Sequence, residues 1–73
     1  MAEAFLIAVV TPREEETPSE RRLFLVLSDT ADAAVEAVQN RVSEDSIVEL
    51  TGIPVLPETV RKLGLLLGKP RQL

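Results

Sequence analysis

The chain has neither histidine nor cysteine, so the chemistry open to its side chains is narrow. A nucleophile would have to be a serine or threonine activated by a lysine or a carboxylate. Its lysines, Lys62 and Lys69, both lie in a basic stretch near the C-terminus, and no serine stands at a telling spacing from either. Carboxylates are plentiful, yet no spacing among them implies two acids sharing one proton. Glu14-Glu15-Glu16 has the right residue type for a cation. Consecutive side chains diverge, however, and a hard cation asks for roughly six or more oxygens from a shaped loop. A solvated charge run fits those residues better. The glycines Gly52, Gly64 and Gly68 make no phosphate loop, since Gly64-x-x-x-Gly68 lacks the Lys-Ser/Thr that would follow it. The expectation is a non-enzyme with no catalytic residue, no cofactor and no metal.

Binding through charge is the next option. Residues 1–60 hold all twelve acids and four of the eight bases, a balance of −8, whereas residues 61–73 hold Arg61, Lys62, Lys69 and Arg71 for +4. Those four cations are the candidate partner-binding residues. They have no aromatic side chain among them on which a base could stack. The overall charge of −4 also opposes phosphate, so nucleic acid is not the expected partner. A nucleic-acid- or ribosome-associated accessory role for the basic segment is the alternative reading.

Leu56-Pro57-Glu58-Thr59-Val60 resembles the Leu-Pro-any-Thr-Gly cell-wall sorting signal. Val60 replaces the glycine, Arg61-Lys62 break the spacing, and the apolar run that follows is too short. The resemblance is set aside. No other motif is specific enough to name a family. The element order has only the general look of small bacterial α+β proteins.

The elements that would position any surface are clearer. Arg22 to Thr51 reads as strand, helix, strand: Leu23 to Leu27 is an unbroken apolar run, and Ala31 to Arg41 carries small apolar residues at helical spacing. Ser46 to Thr51 is the second, more polar strand, with Val48 and Leu50 on one face and Ile47 and Glu49 on the other. A charge there suits an edge strand. Ser28, Asp29 and Thr30 can each cap the helix. Taking Asp29 places Asp32 three residues on, near the dipole's positive end. Ala31, Ala34, Val35, Val38 and Val42 form the inward stripe.

Upstream, residues 4–11 are apolar on both faces, which implies a covered, central strand. Phe5, Ile7 and Val9 point one way, and Leu6, Ala8 and Val10 the other. An acid at Glu3 and a proline at Pro12 argue for a strand over a signal peptide. Residues 12–21 are polar and proline-marked and are expected to form a mobile hairpin loop. Downstream, Pro57 suits the first position of a short helix ending at Gly64, and residues 68–73 read as a tail.

Assembled, this is one small α+β domain spanning 1–73: a three-stranded mixed sheet in β-β-α-β order, spatial order 2-1-3 with a direct 1-2-3 order as the alternative, with a main helix and a short C-terminal helix. A right-handed crossover puts the main helix on one sheet face. The other face stays apolar and must be covered by the C-terminal segment or a second copy. A homodimer is expected, serving as a soluble, cytoplasmic protein-interaction module. A further, unidentified protein partner is compatible with it. No apolar run approaches the roughly 18–20 residues of a membrane helix.

Overall fold

A computed structural model describes residues 2–11 and 20–73. The elements are β1 (Glu3–Thr11), β2 (Glu20–Ser28), α1 (Ala31–Gln39), β3 (Ile47–Leu50), α2 (Pro57–Leu63) and β4 (Arg71–Gln72). They build an α+β fold whose sheet runs β3-β1-β2-β4. β1 is antiparallel to both β2 and β3, with Ile7 opposite Phe24 on one side and Leu50 on the other. The split β-α-β arrangement is therefore present, with β1 between the two strands that flank α1.

Three expectations need correction. Among the described residues the sheet has four strands, every strand pair in it is antiparallel, and the one parallel contact is an isolated bridge from Leu27 to Leu67. Residues 68–73 are not a free tail, because Arg71 and Gln72 pair with Leu25 and Phe24. Glu20 and Arg21 belong to β2 rather than to the loop; the rest of the segment expected to be a mobile loop, residues 12–19, lies outside the described residues. The physical reason for the fourth strand lies in β2. Strand geometry aims the main-chain groups of Leu23, Leu25 and Leu27 away from β1, and unpaired groups there would be costly. The Gly68 and Leu73 amides donate to the Leu27 and Leu23 carbonyls at 2.7 and 2.9 Å.

The helix start also differs from the expected one. Thr30, not Asp29, is the N-cap; its hydroxyl accepts from the Ala33 amide at 3.1 Å. α1 ends at Gln39, two residues early, with Asn40 as its C-cap. Thr30→Ala is expected to lower stability by about 1 kcal/mol, while Asp29→Ala leaves it nearly unchanged. Thermal unfolding followed by circular dichroism compares the two.

α1 packs its Ala34 and Val38 on Ile7, Val9, Phe24 and Val26, all buried, with Phe5, Val35, Ala37, Val42 and Val48 at the margin. That core is aliphatic apart from its phenylalanines. α2 begins at Pro57 and stops at Gly64, whose φ of 62° is a left-handed conformation that glycine adopts without steric cost.

Candidate interaction surface

β1 and β2 are apolar on both faces, and α1 occupies only one of them. Antiparallel partners share a face, so the pairings place Ala4, Leu6, Ala8 and Val10 beside Leu27, Leu25, Leu23 and Arg21 on the face away from α1. Glu49 and Ile47, opposite Ala8 and Val10, extend that face onto β3.

The closing segment covers one end of it. Arg71 sits opposite Leu25, hence on the open face, and its guanidinium donates to the Leu63 carbonyl at the end of α2. Ala8 is buried in the floor of the open part, and Leu25 and Leu65, also buried yet outside the helix-side cluster, mark the covered part. Beyond it runs an open trough of about 540 Å³ lined by Leu6, Ala8, Leu23, Arg21, Glu49 and Ile53 among others. Leu6 and Leu23 are half-buried there, and Ile53 and Ile47 are 58% and 52% exposed.

A second hollow, about 690 Å³, lies where β3 ends and the chain departs through Gly52 to Val55. It is lined by Ala4, Phe5, Leu27, Val55 and Val60, with Glu3 and Arg61 as its charges. The Thr51 amide donates to the Leu6 carbonyl at 3.1 Å, so alternation along β1 turns the Ala4 N–H and C=O toward this hollow.

No family model, curated protein or solved structure matches the chain.

The four cations of the closing segment are spread through it. Arg61 and Lys62 occupy the last turn of α2, where positive charge complements the helix dipole. Arg71 is engaged with the Leu63 carbonyl at the same helix end. Lys69 is exposed in the turn before β4, its amide donating to the Leu66 carbonyl at 3.1 Å. Among the described residues no group of three or more acids gathers as a cation site, and no helix is long and apolar enough to cross a membrane. Glu14-Glu15-Glu16 lie outside the described residues.

Sequence reasoning missed Arg21, and it had Ile53 only as one of several apolar residues of the closing segment available to cover the open face. Arg21 was legible in principle: carrying the alternation of β2 back one residue past Arg22 puts it beside Leu23 on the open face. Ile53 follows a turn at Gly52, φ 73°, and nothing in its neighbours fixes where that turn sends it.

Proposed function

We propose that this chain is a small, non-catalytic protein-interaction module that works as a homodimer joined through the open sheet face. The observation carrying this reading is the trough over Leu6, Ala8 and Leu23, an apolar floor that α1 cannot reach and the closing segment covers only in part. The total surface supports it. A compact monomer of 8.0 kDa exposes about 4,500 Å² by the usual scaling, whereas this chain exposes 5334 Å². The excess is about the size of the roughly 800 Å² that each partner buries in a standard interface. Part of it comes from the molecule's length, 42 Å against 20 and 18 Å; Leu6, Leu23 and Ile53 of the trough are apolar surface that a second copy would remove from water. Twofold association of identical patches is the commonest way for such a face to be closed.

Sedimentation equilibrium over a hundredfold concentration range tests it. The expected result is a mass rising from 8.0 kDa toward twice that value. Leu23→Lys is expected to hold the chain at the monomer mass with its circular dichroism unchanged. A constant monomer mass for the unaltered chain up to high micromolar concentration overturns the homodimer.

A further inference from the structure

β1 is longer than the strand beside it. Its pairing with β2 runs from Glu3 to Thr11, whereas β3 pairs with Ile7 to Val10 and reaches Leu6 through the Thr51 amide. Local sequence ends β3 there. The Thr51 hydroxyl donates to the Leu6 carbonyl at 2.9 Å and accepts from the Ile53 amide at 3.2 Å. Gly52 turns with φ 73°, and Pro54 has no N–H with which to continue a ladder. The outer edge of β1 before Leu6 is therefore left open. Ala4 turns its N–H and C=O toward the vacated line, and among the described residues neither group has a hydrogen-bond partner.

The hollow of about 690 Å³ lies on that line. Ala4, Leu6 and Leu27 border it from the open face, Phe5 and Leu50 from the face of α1, and Val60 from α2. A space bordered by side chains of both faces is a slot at the edge of the sheet, the place of a missing strand, and its volume suits a few residues. We infer that the hollow is a binding site for an extended peptide that adds as a strand antiparallel to β1, with a large aliphatic residue opposite Ala4 and a basic residue next in its chain, opposite Glu3. A peptide fits where an alkyl ligand does not: its main chain exchanges two hydrogen bonds with Ala4, which a hydrocarbon would leave unpaired. An antiparallel neighbour makes both bonds through a single residue. The side chain of that residue lies on Ala4's face, where alanine is small and Leu6 and Leu27 are only half-buried. The residue after it comes beside Glu3, which is exposed and has no ion-pair partner among the described residues. Opposite charges across a strand pair attract, and the chain's net charge of −4 draws in a basic peptide. This site does not rest on the homodimer: the peptide extends the sheet at its edge, whereas the twofold contact stacks on its face.

The probe is acetyl-Leu-Lys-Val-Thr-amide, titrated into isotope-labelled protein and followed by amide chemical shifts. Saturable shifts are expected at Ala4 and around the hollow, with the Ala4 amide gaining protection from hydrogen exchange. N-methylation of the peptide's leucine removes the donor aimed at the Ala4 carbonyl and sets a methyl group against β1; binding is expected to weaken by about tenfold or more. N-methylation of its lysine, whose N–H points away from β1, is expected to leave binding within about threefold. Glu3→Lys, an exposed substitution whose fold circular dichroism verifies, is expected to weaken the lysine peptide by about threefold and to favour the same peptide with glutamate in place of lysine. Shifts that do not saturate, or equal losses from the two methylations, overturn strand addition. Octanoate shifting these amides when the peptide does not assigns the hollow to an alkyl ligand and overturns it as well. An Ala4 amide that moves with protein concentration alone, and ignores the peptide, puts a second copy on the edge instead. A Glu3→Lys chain that still prefers the lysine peptide overturns the orientation. The mass of the chain without peptide is a separate measurement, so the homodimer stands or falls apart from these results.

Discussion

Val38→Asp is expected to abolish the cooperative thermal transition. Val38 has no exposed surface and sits with Ala34 between Ile7, Val9, Phe24 and Val26. The residues packed against it in that cluster are all apolar, so an aspartate there would have neither a cation nor a donor beside it. Burying such a group costs several kcal/mol, either as an unpaired charge or as a proton taken up against its ordinary pKa. The whole chain has little to lose. At roughly 0.05–0.15 kcal/mol per residue, 73 residues amount to about 4–11 kcal/mol. With no disulfide available, no covalent link holds the sheet together once that is spent. Val38→Ala is the graded companion, with an expected loss of about 2 kcal/mol from lost burial and the cavity left behind. Gln39→Asp, one position along and exposed, leaves the transition in place. A thermal scan of the three variants separates a core position from a helix-propensity effect. A cooperative transition retained by Val38→Asp would mean that α1 does not pack on this face.

How much of this was legible follows from where the deciding force acts. Ile7, Val9, Phe24 and Val26 lie in runs apolar enough to specify buried strands, and Pro57 with Gly64 brackets α2 by backbone conformation alone. These signals are local, and the structure follows them. The helix cap was ambiguous because Asp29 and Thr30 can both accept from an amide; the path of the chain out of β2 decides for Thr30. β4 carries no pattern of its own. Arg71-Gln72 follows Gly68 and Pro70 and reads as a tail, and it is a strand because the outer edge of β2 has main-chain groups to satisfy. The trough is a mixed case. Its floor was readable from alternation in β1 and β2, whereas the flanking placement of Arg21 and Glu49 depends on registers that only pairing fixes.

Loss of the closing segment is expected to have the second-largest effect, and Leu65→Asp is its sharpest probe. Leu65 is buried at 9% exposure, in contrast to Leu66 and Leu67, both at 59%. Three leucines in a row thus have very different standing, and only Leu65 is buried. The segment is held by its own main chain: the Leu65 amide donates to the Val60 carbonyl at 3.3 Å, and the Gly68 and Leu73 amides reach the edge of β2. Arg71 ties that edge back to the end of α2. An aspartate at position 65 buries a carboxylate where a leucine side chain is now shielded from water, with an expected loss of about 3 kcal/mol. Leu66→Asp, on an exposed side chain, is expected to change stability by less than about 0.5 kcal/mol. Urea unfolding of the two variants reads the difference as a shift in midpoint. Hydrogen exchange adds a second measure, since the Gly68 and Leu73 amides should lose protection in Leu65→Asp before α1 does. Once released, the segment leaves Leu23, Leu25 and Leu27 on an unpaired strand edge, the kind of surface that templates aggregation. The variant should therefore gain light scattering at temperatures where the unaltered chain stays clear. Equal midpoints for Leu65→Asp and Leu66→Asp would show that the closing segment is an appendage, and that the open face is bare along its whole length.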